Sequence, residues 1–395
     1  MKASHLSDDC LVIGGGPSGS MLAALLANAG QRVTLLEKER EAHHKVCGEF
    51  LSREAVYYLL QAGIDALSLG AQGIDTVRLS SARAVATAPL PFQAFSLSRR
   101  TLDEALLARA AECGCRTIRG AAVESLTGCG EEWTAQLSDG RTVLAPAVFL
   151  ATGKHDLRGW ARPAGRQNDL IGFKLHWQLS RQQVHRLRRT MDLFLFPGGY
   201  GGLSLIENDH ANLCLVVRRS ALRVYGAWPQ LLAALLAENR HLRALLHGAE
   251  PLWPRPLAIS PVPYGHLADD QGALWRVGDQ AAVIPSFTGD GISIALHSAV
   301  LAAKMFLDGD CASRFHGVLR AQLRGSMALA TLLSRVAVTS AGGTAALRAA
   351  RMSPRIMRSI AAATRIPERS LLGNDGYPAP QGKPQGNLTA TSRAR

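Results

Sequence analysis

Gly14, Gly16 and Gly19, in the run GGGPSG, stand between the apolar segment CLVI and the alanine- and leucine-rich segment SMLAALLANAG. Glycines at this spacing let a chain turn sharply, bring its backbone up to a pyrophosphate and pack a helix close to a sheet. The helix then offers unpaired N–H groups and a partial positive charge to the phosphates. Glu37 closes the next apolar run, in LLEK, about twenty residues on, where a carboxylate can accept both hydroxyl hydrogen bonds of an adenosine ribose. Together these signals predict a dinucleotide site. The spacing serves NAD and FAD alike.

Other residues with chemical potential are scattered. Cys47 and Glu49 lie in VCGEFLS, although a buried cysteine usually behaves as a small hydrophobe. His176, Trp177, Phe194, Phe196 and Tyr200 fall on short alternating runs, where every second side chain would face a bound molecule and the rest would pack. His297 reads as structural. The seven cysteines include no CxxC pair and no zinc-type spacing with histidine, so no metal site is expected, and a reducing, cytoplasmic setting is.

The elements that must carry these residues alternate. Residues 10–37 read as a βαβ unit, with a helix after Ser52 and a strand excursion from Thr76 to Ala86. LDEALLARAAEC is helical, residues 116–137 read as strands around a glycine turn, and AVFLATG is a buried strand. From Asp169 to Val217 short alternating runs separated by polar or glycine turns predict an antiparallel sheet. A helix is expected from Trp228 to Leu246, then a proline-rich stretch, then strand, loop and helix.

The chain has 395 residues, 47% hydrophobic and 19% charged, enough apolar material for a globular core of two or three domains. Its net charge of +13 is weighted toward the end, where arginines recur between Arg314 and Arg369 with very few acids. A basic amphipathic helix there could rest on anionic lipid or meet an acidic carrier protein, and otherwise is a solvated face. The basic residues are not interleaved with aromatics, which argues against nucleic acid. No signal peptide and no apolar run long enough to span a bilayer is expected.

Further motifs narrow the cofactor. RRTLDEAL at Arg99 to Leu106 matches RxxLDxxL. AVFLATG ends in Ala151, Thr152 and Gly153, and VGDQAAVIPSFTGDGISIAL carries a GD pair, Pro285 and a glycine loop. With KVCGEFLS at Lys45 to Ser52, the chain resembles the FAD-dependent aromatic hydroxylase and geranylgeranyl reductase superfamily over roughly residues 8 to 310.

The resemblance implies an α/β fold, with a Rossmann-like FAD-binding domain from residues 1–75, 97–168 and 265–310. An inserted antiparallel substrate sheet would come from 76–96 and 169–264, followed by a helical C-terminal region over 311–372 and a disordered tail over 373–395. It implies FAD as cofactor and NAD(P)H as a transient electron donor. Asp279 would bond the ribityl chain, while Gly289 and Gly291 would bring N–H groups to the pyrimidine edge of the flavin. Lys45, Gly48 and Arg99 would border the cofactor.

Two chemistries stay open on a hydrophobic small molecule: oxygen insertion or reduction of a carbon–carbon double bond. CGE and TGDGI lean toward reduction. Asp192 and Phe194, standing where the reductase branch has strand aromatics, lean toward a hydroxylase, which is narrowly favoured; an electron relay to quinone at a membrane surface is the third alternative. No WxWxIP segment is present, which disfavours halogenation. No proton-transfer residue and no oligomeric state is assigned.

Overall fold

The computed structural model describes residues 5–373 apart from 83, 131, 270 and 271, so the expected tail from residue 374 onward lies outside the described residues. Five strands form a parallel sheet in the order Trp275–Arg276, Ala147–Leu150, Cys10–Ile13, Val33–Glu37, Arg116–Arg119. The three central ones are buried at every position, and their uninterrupted apolar runs suit a sheet covered on both sides. Helices Pro17–Asn28, Arg99–Glu112 and Gly291–Leu307 pack together on one face. On the other, Leu11, Ile13 and Leu36 pack on a four-stranded sheet through Leu126, Trp133 and Val143.

A nine-stranded sheet lies beside this unit. Strands Leu170–Gln178, His210–Arg218, Gly199–Leu205 and Arg189–Phe196 are antiparallel neighbours, as expected. The sheet is nevertheless mixed, because Arg189–Phe196 runs parallel to Gln72–Ser81. Those two strands come from remote segments joined edge to edge, so no hairpin dictates their direction. The strand pair Gln72–Ser81 and Ala84–Ser96 begins inside the segment 1–75 that the sequence reading gave to the dinucleotide half.

One face of this sheet is covered by short helices over a core that includes Phe173, Trp177, Phe194, Phe196, Leu213 and Leu215. The helix expected over Trp228–Leu246 is two helices, Trp228–Glu238 and Arg240–Leu246. Asn239 separates them: its side-chain oxygen accepts from Leu242 N at 3.0 Å, capping the second helix, and its amide donates to Ser80 Oγ at 3.0 Å. The other face looks toward the glycine turn. Helices Ala312–Ala337, Ser340–Met352 and Pro354–Ala363 complete the chain, the last two lying against Ala84–Ser96. Among the described residues no helix is long and apolar enough to cross a membrane.

Candidate functional site

A single cavity of about 770 Å³ begins at Glu37, passes the glycine turn and residues 45–50, reaches Asp279 and Gly289, and opens into a chamber under the C-terminal helices. Gly14 turns the chain at φ +112°, and a Cβ there would lie 2.5 Å from the Ala151 carbonyl oxygen, so only glycine fits. The buried Glu37 carboxylate accepts from Gly15 N at 2.9 Å and Glu39 N at 3.0 Å, which ties the ribose-end acid to the turn. Pro17 opens the following helix, where a missing N–H costs nothing.

Nine of the ten glycine, acid and cation positions singled out in the sequence line this cavity: Gly14, Gly16, Glu37, Lys45, Gly48, Arg99, Asp279, Gly289 and Gly291. Gly19 does not. A Cβ on Gly19 would sit 1.9 Å from the Gly14 carbonyl oxygen, so this glycine serves the close packing of helix against strand that the spacing predicts.

The cations are held in place by acids. Asp103 accepts Arg99 Nε at 2.7 Å and Arg99 Nη2 at 2.9 Å, and takes Lys45 Nζ at 3.0 Å. Burial alone would raise the Asp103 carboxyl, but Arg99 and Lys45 hold it below its usual value. Asp279 faces Lys154, whose Nζ lies 3.2 Å away, and its carbonyl accepts from Arg162 Nη1 at 2.6 Å. Lys154 carries no signal in the sequence beyond following the ATG turn. Burial opposes its charge, yet Asp279 lifts its pKa above the ordinary lysine value.

The wall fits FAD. Added Cβ atoms at Gly48, Gly153 and Gly291 would meet nothing within 4 Å, so the glycines leave open space where a flat or extended ligand can approach backbone. The residues that would hold the group follow the wall in order: Glu37 for the adenosine ribose, Gly14 to Ser18 with Arg99 for the diphosphate, Asp279 for the polyol, and Gly289 with Gly291 for the pyrimidine edge. Gly289 adopts a left-handed φ of +74°, and a Cβ there would lie 2.5 Å from the Phe50 ring.

Sequence reasoning missed what anchors residues 45–49. Lys174, wholly buried in strand Leu170–Gln178, donates to Lys45 O at 3.1 Å and to Glu49 Oε1. Glu49, also fully buried and at φ +57°, accepts Arg99 N at 2.7 Å and bonds His176 Nε2 at 2.8 Å. Burial would raise its carboxyl, but Lys174 and His176 bring it down to about 2. Asn212 Nδ2 donates to Cys47 O at 3.1 Å. The CGE segment is thus nailed to the sheet, with Cys47 and Gly48 facing the cavity.

His44 packs on His176 and Trp253, and burial, with Lys174 nearby, lowers its pKa to about 4. His44, Glu49 and His176 bring metal-ligand atoms within 4.8 Å of one another. The Glu49 oxygens are already engaged by Lys174, Arg99 N and His176, and an ammonium beside them opposes a second cation. The cluster is an anchor for the CGE segment.

Strand alternation sorts the five residues expected near the substrate. His176 and Tyr200 lie on the face toward the glycine turn, whereas Trp177, Phe194 and Phe196 belong to the core under the short helices. Asp192 also points to that far side, bonded to Arg78 Nη1 at 2.9 Å and His241 Nε2 at 2.8 Å. His297 is structural, bridging Tyr58 Oη at 2.7 Å and Gln322 Oε1 at 2.8 Å.

The chamber is lined by apolar side chains such as Leu79, Met191, Leu193, Val216, Met357 and Ile360. Hydroxyls gather at its inner end, where Tyr200, Tyr264 and Ser286 line the wall beside the Gly289 loop. Tyr200 Oη lies 3.4 Å from Ser334 Oγ, which donates to Gln167 Oε1 at 2.8 Å. Burial raises the Tyr200 pKa well above its usual value and pushes Tyr264 to about 12, so both phenols keep their protons at neutral pH.

Behind the loop, Arg365 donates to Thr288 O and its Nη1 lies 2.7 Å from Asp290 Oδ1, with its guanidinium 5.0 Å above the Phe92 ring. Burial pushes the Asp290 carboxyl to about 7 despite Arg365.

Comparison with known proteins agrees with this geometry. Residues 8–145 match the FAD binding domain family. The chain is 26% identical over 324 residues to the menaquinone reductase of Mycolicibacterium smegmatis, covering 76% of each protein. It is 27% identical over 351 residues to the digeranylgeranylglycerophospholipid reductase of Methanoculleus marisnigri, covering 83% of this chain and 84% of that one. The fold is shared with the flavin-dependent brominase Bmp2, at a TM-score of 0.75 and 15% identity over 93% of this chain and 96% of that one. A flavoprotein/dehydrogenase from Cytophaga hutchinsonii superposes at 0.71 with 19% identity, covering 90% and 93%. The chain is an FAD-dependent oxidoreductase, similar in sequence to these reductases and in fold to these flavoproteins.

Proposed function

We propose that the protein reduces a carbon–carbon double bond in an apolar, lipid-like molecule held in the chamber. The observation that carries this reading is the chamber itself, lined mainly by apolar side chains and joined to the flavin wall, with the hydroxyls of Tyr200, Tyr264 and Ser286 among its few polar groups. The reductase names of relatives matching three quarters or more of the chain support it. The lean toward oxygen insertion rested on Asp192 and Phe194, and both side chains point away from the cavity into ion pairs and core. It therefore carries no weight for the chamber.

When bound, FAD would supply the hydride, renewed by NAD(P)H as a transient donor, and a proton drawn ultimately from solvent would complete the addition across the double bond. The chain's own residues orient and shield. The apolar wall excludes water, Gly289 and Gly291 leave room for a close approach, and Asp279 and Arg99 hold the cofactor's length in register. Tyr200 and Tyr264, protonated at neutral pH, are placed to donate hydrogen bonds to an oxygen on the bound molecule. Those hydroxyls would also suit a phenol, which keeps hydroxylation as the second reading.

The test is anaerobic turnover with NADPH and prenylated quinones or unsaturated isoprenoid lipids, followed by mass spectrometry. A product heavier by two hydrogens is expected. Turnover that requires O2 and adds one oxygen atom would replace this reading with the second.

A further inference from the structure

The helices that roof the chamber carry a surface unlike the rest of the molecule. From residue 311 to residue 367 the chain has nine arginines, no lysine and no acidic residue. Several of these arginines are spoken for: Arg314 bonds Asp310, Arg320 lies 3.0 Å from Asp269, Arg335 donates to Arg166 O, and Arg365 is buried on Asp290. Arg348, Arg351, Arg355 and Arg358 are exposed, and among the described residues none has an acidic partner within ion-pair distance.

Large apolar side chains are exposed among them. Met352 is 86% exposed, Leu332 60%, Val336 41% and Ile356 40%. Helix Pro354–Ala363 buries no residue fully, although Met357, Ile360 and Ala361 turn toward the chamber. Arg355 and Arg358, three residues apart, share the side turned away from the chamber, and Ile356 is exposed on the helix's other flank. Val336 both lines the chamber and reaches solvent, which puts an edge of the cavity on this same surface.

We infer that this surface docks on an anionic lipid bilayer. Arg348, Arg351, Arg355 and Arg358 meet the headgroups, Met352 and Ile356 enter the acyl boundary, and the chamber edge at Val336 faces the lipid. Arginines with intervening apolar side chains on a surface helix are the arrangement that binds such an interface. An acidic soluble carrier would be met by the charges alone and gives the exposed Met352 and Ile356 nothing to bury in. The docking gives the proposed reduction its supply of apolar substrate, but the binding measurement is independent of any turnover.

The test uses the full chain loaded with FAD and sedimented with phosphatidylcholine vesicles, with or without phosphatidylglycerol. Binding to the anionic vesicles only is expected, falling steeply between about 0.05 M and 0.5 M salt. Replacing Arg348, Arg351, Arg355 and Arg358 by glutamine should weaken it by on the order of 100-fold or more, since each arginine near a charged surface contributes about fivefold. The corresponding lysine variant should retain binding, and an unchanged flavin spectrum and melting temperature show that each variant is folded. M352S/I356S should weaken binding to anionic vesicles at unchanged charge. Equal binding to neutral vesicles, no binding to either, or full binding by the glutamine variant overturns the inference, as does competition by polyglutamate with no vesicle pelleting.

Discussion

Lys174→Met tests the anchor beneath the CGE segment. The substitution keeps the length and volume of the side chain and removes the ammonium that bonds Glu49 and Lys45 O. Removing one partner of a buried ion pair costs about 3–5 kcal/mol, because the other charge stays behind without compensation. The structure gives a similar figure: Glu49 lowered from 4.5 to about 2 corresponds to about 3 kcal/mol of stabilisation of its charged form.

That stabilisation is present above pH 4.5 and is lost as pH falls toward 2, since the folded-state value lies below the unfolded one. Urea unfolding of Lys174→Met at pH 7 should therefore show a loss of about 3 kcal/mol, and FAD should bind more weakly because residues 45–49 line its wall. Glu49→Gln alone strands the lysine and should cost a comparable amount. The double variant should recover part of the sum, as contacting residues do. A loss below about 1 kcal/mol for Lys174→Met, or strict additivity in the double variant, would refute the reasoning.

Gly14→Ala should lower FAD affinity at least tenfold in a fluorescence titration, because its φ of +112° and the Ala151 carbonyl 2.5 Å from the new Cβ force the turn to open. Gly202→Leu should leave FAD content unchanged while raising KM or abolishing turnover of long apolar substrates, since its Cβ position has ordinary contacts at 3.4 Å and its side chain would fill the chamber. Tyr264→Phe should lower kcat/KM about tenfold for an oxygen-bearing substrate at constant flavin content, the loss of about one hydrogen bond. Asp290 has a folded value raised from 3.8 to about 7, so its contribution is complete below 3.8 and lost as pH rises through 7. Between pH 6 and pH 8 the wild type should lose about 1 kcal/mol that Asp290→Asn does not lose, read from urea midpoints at each pH.

The parts of the site that were legible in the sequence are those where chemistry is written locally. Gly14 and Gly16 with Glu37 form one supersecondary unit, and the residues that would hold the polyol and pyrimidine edge, Asp279, Gly289 and Gly291, sit in one short run. What escaped depends on partners far along the chain. Lys174 meets Glu49 across 125 positions, Lys154 meets Asp279, and Arg365 reaches Thr288, and nothing near those cations announces them. Strand alternation was visible, but which parity faces the cavity is set by packing. His176 and Trp177 adjoin in sequence and serve opposite faces. The helix break at Asn239 likewise needed Ser80, a neighbour only in space.

Arg365 fastens the end of the last helix to the flavin loop with a buried charge, a carbonyl contact and an aromatic ring beneath it. Lifting that helix away would break this ion pair and the bond to the Thr288 carbonyl together, so the roof of the cavity is riveted at the flavin loop.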